Sequence, residues 1–134
     1  MKKYILILIA MFSMGTIAFS QTANHKQVVV NLSTMRFKFI IGNDKNGGLL
    51  DLRTTDEINN GYIKGSVQLD FSAKGATSQI DKLDKTKVYY LYCDSGAKSA
   101  EAAAYMENHD FKQVYVLQKG FADWVKQGYP VEKK

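Results

Sequence analysis

With one cysteine, one proline and two histidines among its 134 residues, the chain cannot be built in several common ways. A lone cysteine cannot supply an internal disulfide framework. No cysteine lies near the end of the apolar N-terminal stretch, so the lipid-anchored form of bacterial export, which needs a cysteine at the new N-terminus, is not supported. His25 and His109 lack the partners that a general base or a metal site requires, and neither a metal centre nor a cofactor is expected. The formal charge of +5 comes from scattered lysines rather than a basic run with interleaved aromatics, so nucleic acid is not an expected partner. No Pro-rich, Ser-rich or low-complexity linker and no internal repeat divides the chain, which predicts one small domain with one core.

The first twenty residues read differently from the rest. Met1-Lys2-Lys3 is basic, Tyr4 to Phe12 is apolar, and Ala18-Phe19-Ser20 places small residues at both positions of an A-x-S cleavage site. These are the three parts of a secretory signal peptide, and the apolar stretch is short for a membrane span. Residues 1–20 are therefore expected to be removed. The remainder, 21–134, is expected to be an exported periplasmic or secreted domain, monomeric and free of the membrane. An uncleaved N-terminal anchor is the alternative, against which stands the absence of a stop-transfer pattern.

Apolar runs alternate with amphipathic stretches through the rest of the chain, which predicts an α/β domain with a mainly parallel sheet covered by helices. Val28 to Leu32, Leu49 to Leu52, Val67 to Phe71, Val88 to Tyr92 and Val114 to Leu117 are the expected strands. Thr54 followed three residues later by Glu57 is a capping box that starts a short helix ended by Asn60-Gly61. Gln79 to Leu83 and Gly120 to Gln127 are further helices, the latter with Phe121 and Trp124 inward and stopped by Gly128 and Pro130. Ser33 to Ile41 reads two ways: Phe37, Phe39 and Ile41 alternate as in a strand, whereas Ser33 can cap a helix. The cap favours helix.

Cys93 closes the apolar run Val88 to Tyr92 and opens the polar loop Asp94-Ser95-Gly96-Ala97-Lys98, which leads into a helix expected from Ser99. A strand that stops at a tight loop before a helix start leaves unpaired N–H groups, and the helix dipole adds partial positive charge there. A thiol so placed is expected to favour its thiolate, the nucleophilic form. Free cysteine is more often a small core residue. The polar end position beside Gly96 and Lys98, and the retention of an unpaired thiol in an exported chain, instead favour an accessible reactive thiol. Ser99, Ala102, Ala103 and Met106 fall on one helical stripe, which predicts close packing on the sheet.

Four segments together resemble the rhodanese-like family, in the correct order and across nearly the whole chain after residue 20. Leu49-Leu50-Asp51-Leu52-Arg53 resembles its strand ending in D-x-R. Gly61-Tyr62-Ile63-Lys64-Gly65-Ser66 resembles G-H-I-P-G-A, Tyr92 to Ser99 resembles the Y-C-x-x-G-x-R-S loop, and Phe111 to Val116 with Gly120 and Trp124 resembles the close of the domain. The resemblance implies a rhodanese-like α/β fold with a five-stranded, mainly parallel sheet flanked by helices on both faces. It implies a sulfurtransferase in which Cys93 carries a sulfane sulfur as a persulfide, from a small anionic donor such as thiosulfate to a thiol or cyanide-like acceptor. Asp94, Ser95, Gly96, Ala97, Lys98 and Ser99 are then the expected substrate-binding residues.

Related phosphatases and arsenate reductases carry one residue more in this loop, and the shorter Cys93-to-Lys98 loop fits a sulfur atom better than a tetrahedral oxyanion. A non-enzymatic sulfur carrier or partner-binding module is the other reading of the same loop. Lys98 stands where Arg is usual, and a point charge cannot make the two-pronged contact of a guanidinium. Asp94 adds negative charge that opposes capture of a dianion. Asp51 and Arg53 are expected to brace the fold rather than touch substrate.

Overall fold

The computed structural model describes residues 26–134. The signal-peptide reading of residues 1–20, and His25, lie outside the described residues. The elements alternate strictly: β1 (Val29–Leu32), α1 (Thr34–Asn43), β2 (Gly48–Asp51), α2 (Thr55–Asn59), β3 (Val67–Gln68), α3 (Ala76–Asp81), β4 (Val88–Tyr92), α4 (Ala97–Glu107), β5 (Gln113–Leu117) and α5 (Gly120–Lys126). The five strands form one sheet in the order β1-β5-β4-β2-β3, and every pair is parallel.

β4 lies at the centre, and its side chains divide by parity because successive strand residues face opposite sides. Tyr89, Leu91 and Cys93 join Ala102, Ala103 and Met106 of α4 in one core cluster. Tyr90 and Tyr92 join Phe37 of α1 and Phe121 and Trp124 of α5 in the other. The small stripe of α4 lets that helix sit close to the sheet, and Ser99, Ala102, Ala103 and Met106 are all buried. Thr34 donates from its hydroxyl to Asp123, tying α1 to α5 on the opposite face.

The ambiguous stretch after β1 is helix. Ser33 caps it by accepting from the Arg36 N–H, and Phe37 is fully buried while Phe39 is 71% exposed, which a strand with alternating faces would not allow. The expected strand Val67 to Phe71 is shorter, ending at Gln68. Beyond it the Leu69 N–H still bonds the Asp51 carbonyl at 2.8 Å and the Phe71 N–H the Leu52 carbonyl at 3.2 Å, past the end of β2 and outside the regular strand. The expected helix Gln79 to Leu83 instead runs Ala76–Asp81, entered through Gly75 in the left-handed conformation. α4 begins two residues before the expected Ser99, because Gly96 turns the chain at φ 97° and Ala97 is already helical. α2 carries the expected capping box.

Burial of Phe37 against exposure of Phe39 sets the first prediction. Phe37→Ala is expected to lower stability by about 3–5 kcal/mol, whereas Phe39→Ala is expected to stay within about 0.5 kcal/mol. Urea denaturation of both variants checks this, and equal losses would contradict the helix.

Candidate active site

Cys93 follows the last residue of β4, at the carboxyl ends of the parallel strands, where open α/β sheets place their ligands. Its burial is deeper than the expected accessible thiol: the residue is 2% exposed and lies beneath its own loop. The Gly96 N–H points at the sulfur, with nitrogen and Sγ 3.1 Å apart. Gly96 is also the N-cap of α4, so this donor belongs to the positive end of the helix dipole. Among the described residues, the N–H groups of Asp94, Ser95, Ala97, Lys98 and Ser99 make no hydrogen bond to a protein acceptor. The loop therefore holds a set of unspent donors, as a helix start requires.

The other predicted residues occupy distinct positions around that loop. Asp94, Ser95 and Ala97 are exposed, Gly96 is buried and Lys98 is half-buried. Ser99 is completely buried on the first turn of α4, and its hydroxyl is the one buried side-chain oxygen or nitrogen without a partner among the described residues. Of the six expected binding residues, Gly96 is the one whose donor meets the sulfur.

What holds the loop comes from α5. The Phe121 N–H donates to the Cys93 carbonyl at 2.8 Å, and the Ala122 N–H to the Asp94 carbonyl at 3.1 Å. These bonds require backbone to approach backbone. A Cβ on Gly120 would lie 2.2 Å from the Asp94 oxygen, and one on Gly96 would lie 2.2 Å from the Gln118 oxygen; both glycines also have positive φ. Reading the loop alone missed this brace. Its signal in the sequence was the position of Gly120 immediately before Phe121.

Asp51 and Arg53 close the floor beside the loop. The carboxylate accepts from Nε at 2.9 Å and from one terminal nitrogen at 2.7 Å, and also from the Arg53 backbone N–H at 3.0 Å. The same terminal nitrogen donates to the Gly61 carbonyl at 2.8 Å, and the guanidinium lies 3.9 Å from the Phe121 ring centroid. Both residues are buried, and a hydrogen-bonded buried pair of this kind is a brace whose disruption leaves a bare charge. Tyr92 accepts from the Ile63 N–H and donates to the Ser66 hydroxyl, both at 3.0 Å, pinning the turn after α2. Burial raises its pKa, so it stays a neutral phenol.

Glu57 brings a second negative group toward the loop. Its carboxyl is held below its ordinary value of 4.5, chiefly by the Thr54 backbone N–H and then by the Thr54 hydroxyl, with Lys98 and Arg53 adding to the effect through their charges. Lys98 thus acts on Glu57 through its charge, and Asp94 lies four residues before it in the chain. The arrangement can polarise and shelter a sulfur through main-chain donors, with one lysine set against two carboxylates around it.

Comparison with known proteins follows this geometry. The model of the Rhodanese-like domain matches residues 37–127. A sulfurtransferase of Allochromatium vinosum is 31% identical over 83 residues, which is 62% of this chain and 76% of that protein. A tRNA uridine(34) hydroxylase of Pelagibacter ubique is 34% identical over 63% of this chain but only 28% of its own length. The putative sulfur carrier protein YrkF of Bacillus subtilis is 27% identical over 72% of this chain and about half, 51%, of its own. Among solved structures, a rhodanese-related protein of Thermoplasma volcanium superposes with a TM-score of 0.67 at 25% identity, covering 78% of this chain and 98% of that one.

Two predictions arise from the brace and the cap. Gly120→Ala is expected to destabilise the domain by more than about 1 kcal/mol and to speed alkylation of Cys93 by iodoacetamide, as the loop is pushed off its seat; unchanged alkylation would refute the brace. Because Glu57 titrates below its ordinary value, its contribution is present above pH 4.5 and is lost as pH falls through the lowered value. The stability gap between the wild type and Glu57→Gln is therefore expected to shrink on acidification, and a gap that grows would contradict the assignment.

Proposed function

This chain belongs to the rhodanese-like domain family, a sulfur-transfer family, and from that premise we propose that it is an exported sulfurtransferase working through a persulfide on Cys93. The observation that carries the reading is the Gly96 N–H set against the Cys93 sulfur at the start of α4. The thiolate of Cys93 attacks the outer sulfur of a donor such as thiosulfate. A new S–S bond forms, the donor's own S–S bond breaks, and sulfite leaves with that electron pair. The outer persulfide sulfur now carries the negative charge, which Gly96 and the unspent N–H groups of the loop are placed to stabilise.

A nucleophilic acceptor then attacks the outer sulfur, and Cys93 departs as thiolate. Cyanide would become thiocyanate, and a thiolate would become a persulfide. Lys98 supplies the charge that draws an anionic donor to the mouth, against the opposing charges of Asp94 and Glu57. Those two carboxylates favour donors of lower charge than a dianion, so thiosulfate is a usable donor rather than the preferred one. Residues 1–20 fit removal on export, which N-terminal sequencing of the mature protein checks by reading from Gln21.

A second reading has its own support. Cys93 is 2% exposed, and a relative named as a putative sulfur carrier shares this domain. A sheltered persulfide suits storage and delivery to a partner protein more than rapid exchange with small molecules. The likeness to the tRNA hydroxylase spans 28% of that protein and extends to the domain alone.

Intact-mass measurement after incubation with thiosulfate, and separately with cysteine persulfide, tests both readings. One added sulfur is expected on the wild type and none on Cys93→Ser. Repeated thiocyanate release on adding cyanide supports the enzyme, whereas loading with slow turnover supports the carrier. A wild-type chain that gains no sulfur from either donor overturns the persulfide reading.

A further inference from the structure

A groove of about 510 Å³ lies on the sheet face that carries α1 and α5, away from the Cys93 loop, none of whose residues line it. Its size falls in the range of roughly 300–1,000 Å³ usual for small-molecule sites. Leu49 of β2 and Tyr90 of β4 contribute from the sheet, with Ile41 at the end of α1, Ile63 in the turn after α2 and Trp124 of α5 around them.

The rim is cationic. Lys38, Lys45 and Lys64 line the groove, and all three are exposed. None of them forms an ion pair; the single salt bridge among the described residues is Arg53 to Asp51. Lys45 reaches only the Gly42 carbonyl at 3.4 Å, and Lys38 sits 4.6 Å from the centroid of the Tyr129 ring. One acid faces them, Asp44. Its carboxylate is already engaged by the Tyr90 hydroxyl at 2.7 Å and by the Asn46 and Gly47 N–H groups. An adjoining groove shares Asp44 and Lys45 and adds Lys87 and Lys112, extending the positive rim.

An apolar floor beneath three unpaired lysines calls for a ligand with matching halves. A neutral apolar molecule would leave the lysines unused, and a small inorganic anion would leave the floor wet. We propose that this groove is a second binding site, for an amphipathic anion: a medium-chain or aromatic carboxylate or sulfonate whose apolar body lies on Leu49 and Tyr90 and whose charged head meets the lysines. The site is independent of the chemistry at Cys93.

Trp124, the only tryptophan of the chain, lines the groove and reports directly on its occupancy. The test uses the Cys93→Ser protein, so that sulfur chemistry plays no part, with octanoate, octan-1-ol and octyltrimethylammonium as probes. Octanoate is expected to change Trp124 emission saturably, with half-saturation about tenfold below that of octan-1-ol, and the cationic probe is expected to give no saturable change. Lys38→Gln, Lys45→Gln and Lys64→Gln together are expected to raise the octanoate value to that of octan-1-ol while leaving the alcohol unaffected. The proposal is overturned if octanoate gives no saturable response, if alcohol and carboxylate bind alike, or if the triple variant binds octanoate as the parent does.

Discussion

The close contact between the start of α5 and the loop after β4 is the constraint on which the rest of the site depends. Two main-chain N–H groups, from Phe121 and Ala122, are spent on the carbonyls of Cys93 and Asp94. Once those carbonyls are turned toward α5, the following peptides are committed in direction, and the Gly96 N–H ends 3.1 Å from the sulfur. The contact exists because Gly96 and Gly120 both lack a Cβ where one would meet a carbonyl oxygen at 2.2 Å. A site built this way is positioned by backbone, which makes it rigid without help from long side chains.

The buried Asp51–Arg53 pair extends the same logic to the neighbouring strand. Arg53 bonds Asp51 and the Gly61 carbonyl and lies against the Phe121 ring, the residue whose N–H holds the Cys93 carbonyl. A charge taken from water at a cost of several kcal/mol is tolerable when it is paired and hydrogen-bonded, and here those contacts link β2, the turn after α2 and α5. Lys98 is the cation of the loop itself, set against the carboxylates of Asp94 and Glu57.

Much of this architecture was legible from local pattern. The apolar strand Val88 to Tyr92, the stripe Ser99-Ala102-Ala103-Met106 and the Thr54/Glu57 box each rest on neighbours in the chain, and each is present. Ser33 decided between helix and strand because a cap is a local hydrogen bond. Element ends were less legible: Gly75 and Gly96 enter helices through left-handed backbone, starting α3 and α4 earlier than side-chain periodicity suggests. Least legible was the brace on the loop, since it joins Cys93 to Phe121 and Asp94 to Ala122 across a strand and a helix. The depth of Cys93 follows from that same contact, and so escaped a reading that saw only a polar loop.

One strand connects the two regions of chemical interest. β4 presents Tyr89, Leu91 and Cys93 to the α4 side and Tyr90 and Tyr92 to the other. The sulfur at its carboxyl end is therefore walled by α4 and its dipole, while Tyr90, three residues earlier, forms part of the lysine-rimmed groove on the opposite face. Pleating alone forces this separation: shifting the register of β4 by one residue would exchange the faces, burying Tyr90 against the small stripe of α4 and turning Cys93 away from the Gly96 amide. The α4 face takes Tyr89 and Leu91 beside Ala102 and Ala103, and the other face takes Tyr90 and Tyr92 beside Phe37, Phe121 and Trp124, so packing on both sides fixes the register. The position of the reactive atom is in this sense a consequence of core packing on both faces of one strand.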